Sequence, residues 1–103
     1  MNAHKKVFLS PMQQEILTTM GNQIRLARLR RKMSSNLVAY KAGISRATLW
    51  KIENGDPSVA IGFYFKVLNA INLEKSFLEV AKDDQLGRLL QDSELDSKYR
   101  KEK

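Results

Sequence analysis

Between Ser34 and Gly55 the chain reads SSNLVAYKAGISRATLWKIENG, and the punctuation of this stretch constrains the fold more than any other feature. Ser34-Ser35 and Ser45 suit helix N-caps, because a serine hydroxyl accepts from backbone N–H groups that a first helical turn leaves unpaired. Gly43 suits a helix C-terminus, where the chain leaves through a left-handed conformation that side chains with a Cβ avoid. Asn54-Gly55 close the second segment. Two short helices joined by a three- or four-residue turn with a glycine form a helix-turn-helix. Ala39 is small, which lets the two helices cross closely. Val38, Ala42, Ile44, Leu49 and Ile52 supply the apolar contacts between them.

The flanks extend the same all-helical pattern. Ser10-Pro11 opens a helix with a capping serine and a proline at the first helical position. Ile16, Leu17, Met20, Ile24, Ala27 and Leu29 then keep a helical spacing. Gly21 inside this run marks a weak point or a bend. Arg25, Arg28, Arg30, Arg31 and Lys32 crowd its end, where cations meet the partial negative charge of unpaired carbonyls. Asp56-Pro57-Ser58 reads as a turn with Ser58 as the next N-cap. VAIGFYFKVLNAINL is apolar nearly all round, as in a central helix packed on several neighbours, and Asn72 ends it. EKSFLEVA forms a short fifth helix with Phe77, Leu78 and Val80 as its stripe. Beyond Lys82 one apolar cluster (Leu86, Leu89, Leu90) precedes almost only polar residues. The expected organisation is an N-terminal arm over 1–10, a compact all-α five-helix domain over 11–81, and a polar, partly disordered tail over 82–103.

Composition narrows the chemistry. The 103 residues contain no cysteine, so neither disulfides nor thiolate metal sites are expected. The single histidine, His4, stands in a polar N-terminal stretch, and no nucleophile–base pair or paired carboxylates are visible. The chain reads as a non-enzyme without metal or cofactor. VFL after MNAHKK is too short for a secretory h-region, and no apolar run spans a bilayer, so a soluble cytoplasmic protein is expected. The net charge of +7 is unevenly placed. Residues 1–66 carry 11 Lys and Arg against 3 Asp and Glu; residues 67–103 carry 7 against 8. A positive excess on the part that holds the helix-turn-helix fits an anionic partner.

SSNLVAYKAGISRATLWKIENG resembles the helix-turn-helix of the Xre family, the phage repressor and Cro-like DNA-binding domains, and the resemblance covers roughly residues 21–81. It implies a five-helix domain that binds double-stranded DNA as a homodimer on a pseudo-palindromic operator, with the second motif helix in the major groove. Carried onto this sequence, it makes Arg46, Ala47 and Lys51 the base readers. Arg or Lys bonds guanine O6 and N7, and an alanine methyl rests on a thymine methyl. Ser35, Ser45, Thr48 and Asn54 become phosphate contacts, which set register. Arg28 and Glu53 correspond to a largely buried ion pair. The family commonly has Thr-Gln where this chain has Ser34-Ser35, so the shorter Ser35 is limited to a phosphate. Trp50, about 100° from Leu49, is expected at the edge of the helix. There it packs over the loop around Pro57, or alternatively lends its indole N–H to a phosphate or base edge.

The dimer is expected through Phe77, Leu78 and Val80, extended by Leu86, Leu89 and Leu90. A second resemblance, from ENGDPSVAIGFYFKVLNAINL to LGRLLQD, is to HipB-type antitoxins, which repress their own operon and bind a HipA-like kinase toxin. The readings that follow are an autoregulating antitoxin, a stand-alone repressor, or a protein-interaction module of the same fold.

Overall fold

The computed structural model describes residues 7–82 and 84–90. The expectations for His4 and for the tail beyond Leu90 fall outside them. Within the described residues the chain is all-helical and has no strand. Four α-helices follow one another: α1 (Pro11–Arg30), α2 (Ser35–Ala42), α3 (Arg46–Glu53) and α4 (Ile61–Ala70). A 3₁₀ helix, Glu74–Glu79, and a five-residue α5, Gln85–Leu89, complete them.

Local chemistry explains most of the boundaries. Ser10 Oγ accepts from the Gln13 N–H at 3.2 Å while Gln13 Oε1 accepts from the Ser10 N–H at 3.0 Å, a reciprocal capping box. Ser34 and Ser45 cap α2 and α3 through the N–H groups of Leu37 and Thr48. Each such cap is worth about 1 kcal/mol. Gly43 ends α2 at φ 68°, and Asn72, at φ 64°, turns the chain out of α4. Ser58 does not cap α4. Its N–H and hydroxyl both donate to Asp56 Oδ1, at 2.8 and 2.6 Å, in a tight turn, and Ala60 occupies the cap position without a side-chain bond.

The core is one cluster. Ile24 and Ala27 of α1, Val38, Ala39 and Ala42 of α2, Leu49 and Ile52 of α3, and Tyr64, Val67, Leu68 and Ile71 of the α4 region are all buried. No described polar or charged residue is fully buried with them. The anticipated fifth helix differs in kind. Glu74–Glu79 has no side-chain cap and winds at about three residues per turn, so positions i and i+3 eclipse. Glu74 and Phe77 therefore face inward, and Phe77 meets Phe65 edge-on at 5.4 Å. Leu78 and Val80, expected on the same stripe as Phe77, are 73% and 69% exposed instead.

Gly21 neither weakens nor bends the first helix, which runs unbroken through it. It is a contact residue. A Cβ at Gly21 would stand 2.6 Å from the Ile52 carbonyl oxygen and 2.8 Å from the Gly55 nitrogen. A Cβ at Gly55, itself at φ 71°, would stand 2.6 Å from the Thr18 Cα. The two glycines let the backbone of α1 lie directly on the C-terminal end of α3. Gln14 Nε2 adds a 2.8 Å bond to the Gly55 carbonyl across the same junction.

Candidate nucleic-acid interface

The outward face of α3 follows from what its inward face buries. Leu49 and Ile52 are buried, with Thr48 and Glu53 partly covered beside them. At 100° per residue, the opposite side carries Ala47 and Asn54 at its centre and Trp50 and Lys51 on either flank. All four are exposed, as is Arg46 at the first turn. Trp50 is therefore not an edge-packing residue. It is 67% exposed and lies on the outer face as squarely as Lys51.

Three attachments fix the angle of this face. The glycine contacts of α1 hold the C-terminal end. The Arg28 guanidinium grips Glu53, the last residue of α3, with Nε and Nη2 donating to Glu53 Oε2 and Oε1 at 2.7 and 3.0 Å. Its Nη1 donates to the Met33 carbonyl at 3.1 Å, so one side chain ties α1, the α1–α2 turn and α3 together. The side chains of Arg28 and Glu53 are only 11% and 8% exposed, and the bidentate bond to Glu53 raises the Arg28 pKa above its ordinary value. Just past the end of α3 Tyr64 donates its hydroxyl to the Asp56 carbonyl at 2.8 Å, and burial pushes its pKa up to about 12. The two hydrogen bonds from Ser58 hold the Asp56 carboxyl below its usual range.

A cleft opens between α1 and α3 beside this face. Ser35, Arg46, Ala47, Trp50 and Asn54 line it from α2 and α3; Gln14, Thr18, Asn22 and Arg25 line it from α1, with Glu15 at the rim. The structure thus brings Arg46, Ala47, Asn54 and Ser35 into one concave surface. It leaves Lys51 on the other flank of the reading face, and Ser45 and Thr48 at the α3 cap. The Ser45 hydroxyl is doubly engaged there, accepting from the Thr48 N–H and donating to Thr48 Oγ1 at 2.9 Å. The hydrogen of the Thr48 hydroxyl remains unengaged. Asn54 Nδ2 donates to the Trp50 carbonyl at 2.8 Å, which uses one of its two amide hydrogens.

The α1 wall has a signal in the sequence. Gln14, Thr18, Asn22 and Arg25 recur at four, four and three residues, a polar stripe on the first helix opposite the Met12–Ile16 side. An apolar periodicity search passes over such a stripe.

A family model described as a helix-turn-helix domain matches residues 19–73, more than half of the chain. The chain belongs to the helix-turn-helix domain family. The match spans the last part of α1, the two motif helices with their glycine turn, α4 and its exit. As a helix-turn-helix protein the chain is a DNA-binding regulator. The first eight residues of α1, Pro11–Thr18, precede the matched region and contribute Pro11, Gln14, Glu15 and Thr18 to the cleft wall. No curated protein matches the chain. No described helix is long and apolar enough to cross a membrane, and no cluster of His, Asp and Glu among the described residues has metal-site geometry.

Proposed function

We propose that the chain is a cytoplasmic, homodimeric transcriptional repressor that reads a pseudo-palindromic operator through α3. The observation that carries this reading is the exposed face of α3, held at fixed angle by the Arg28–Glu53 pair and by the Gly21 and Gly55 contacts. Arg46, Ala47 and Lys51 read base edges. Thr48, Ser35 and Asn54 meet phosphates. Ser45, bonded to the Thr48 hydroxyl oxygen at the α3 cap, meets a phosphate with it. Two recognition helices of a dimer then lie about 34 Å apart, one turn of DNA. No catalytic group or cofactor enters.

Exposed Leu78, Val80, Leu86, Leu89 and Leu90 supply the apolar surface for the second copy. The resemblance of the ENGDPS to LGRLLQD region to HipB-type antitoxins supports a more specific version, in which the repressor controls its own operon and binds a HipA-like kinase toxin. A gel shift on the DNA upstream of the chain's own gene, at moderate salt with competitor DNA, tests the repressor reading. Retention of the shift against competitor is expected. Its complete loss, with a protein partner still bound, would favour an interaction module. Co-purification with a kinase encoded beside the gene tests the antitoxin version.

A further inference from the structure

We propose that the cleft between α1 and α3 holds one sugar–phosphate strand of the DNA, and that Trp50 packs its indole against the deoxyriboses of that strand. The inference rests on the DNA-binding reading above and adds a wall to it. Trp50 is the only tryptophan in the chain, is 67% exposed, and has no partner for its indole N–H among the described residues. Leaving so large an apolar ring in water forgoes burial that a bound partner can recover, and tryptophan is among the residues that contribute most at interfaces.

The cleft chemistry selects the occupant. Its α1 wall presents the Thr18 hydroxyl, the Asn22 amide and the Arg25 guanidinium as donors, while both Gln14 Nε2 hydrogens are already given to Thr18 Oγ1 and the Gly55 carbonyl. Arg46 stands opposite. Phosphate oxygens are acceptors only, so a wall of donors suits a backbone strand. The buried charges cancel, since Arg28 is paired with Glu53, and Arg25 and Arg46 outweigh Glu15 at the rim. Trp50 lies on the flank of α3 that faces α1, whereas Lys51 lies on the flank away from it. The ring therefore meets the strand that borders the groove, and not the base edges beneath Ala47. A contact of this kind is independent of sequence and removes no charge.

Because Trp50 is the sole tryptophan, its fluorescence reports the cleft directly. The full chain is titrated with a labelled mixed-sequence duplex of about 30 base pairs at low salt, where sequence-independent binding is strong. Anisotropy of the label follows binding while acrylamide quenching follows Trp50. At saturation the quenching constant is expected to fall at least about twofold. Trp50→Ala is expected to weaken binding about tenfold with an unchanged salt slope, and Trp50→Phe to recover most of that loss. Glu15→Gln is expected to tighten binding on every sequence. Binding with unaltered quenching and an unaffected Trp50→Ala variant overturns the inference while leaving DNA binding intact. Shielding of Trp50 that grows with protein concentration without DNA overturns it in favour of a second copy. A duplex that never binds, by anisotropy, overturns both the inference and the reading on which it rests.

Discussion

The helix-turn-helix core and the segment after Asn72 are built on opposite principles. In the core, α1, α2, α3 and α4 each bury a face in one cluster, and Val38, Ile52, Val67 and Ile71 have no exposed surface at all. The contacts are backbone on backbone where Gly21 and Gly55 meet, and bidentate where Arg28 meets Glu53. After Asn72 the chain offers one inward aromatic, Phe77, and then places Leu78, Val80, Leu86, Leu89 and Leu90 in solvent. The first region carries everything needed to hold α3 still. The second has apolar side chains that no described residue of the chain covers. In the proposed dimer the contrast separates positioning from association: the α3 face is set within one copy, and the late segment is the surface offered to the other.

Substitutions sharpen this contrast, beginning with the largest expected effect. Glu53→Ala leaves the Arg28 guanidinium buried without its anion and should cost about 3–5 kcal/mol, measured by denaturant unfolding. Replacing both partners with apolar residues of similar volume should cost far less, because no uncompensated charge remains. Equal loss in single and double variants would show that the pair does not act as a unit. Gly21→Ala forces a Cβ against backbone atoms that cannot swing aside, and should cost about 1–3 kcal/mol despite its better helix propensity. A stabilised Gly21→Ala variant would mean that α1 and α3 do not touch there.

Tyr64 supplies a smaller, pH-dependent effect. Its folded pKa, about 12, lies above the ordinary phenol value of 10.0. A raised folded pKa gives a contribution that is full below pH 10 and declines as pH rises toward about 12. Tyr64→Phe should lose about 1 kcal/mol at neutral pH, for the bond to the Asp56 carbonyl. The loss should shrink toward pH 12, measured by unfolding across the alkaline range. At the small end, Leu78→Ser and Leu89→Ser should change monomer stability by no more than about 0.5 kcal/mol. They should nonetheless lower the apparent mass in sedimentation if this segment joins two copies. Unchanged association would move the dimer surface elsewhere, toward Met12 and Ile16 of α1, which are also exposed.

Legibility in the sequence followed the range of the interactions. Caps are local, so Ser10, Ser34, Ser45 and Gly43 were readable from one or two turns of chain, and each makes the bond or conformation that its neighbours imply. The Arg28–Glu53 pair was readable only through the resemblance, since 25 residues separate its partners. Helix propensity makes Gly21 a weak point, yet its role depends on Ile52 and Gly55, which lie far along the chain. Ser58 looks like an N-cap, but Asp56 takes both of its donors at two residues' distance. The apparent stripe divides because Leu78 stands about a third of a turn from Phe77 in the 3₁₀ helix, and Val80 follows the end of that helix at Glu79. Counting from Leu49 alone puts Trp50 at an edge. Counting from Leu49 and Ile52 together turns it outward and reveals the cleft with α1.

The central claim is that the outward face of α3 reads sequence. The most direct measurement compares wild type and Arg46→Ala on a set of operator variants that differ by single base pairs. The account predicts that Arg46→Ala loses about 1–3 kcal/mol on the preferred operator and loses discrimination at one base-pair position, while preferences elsewhere persist. Unchanged discrimination at every position, with affinity lowered uniformly or not at all, would contradict it.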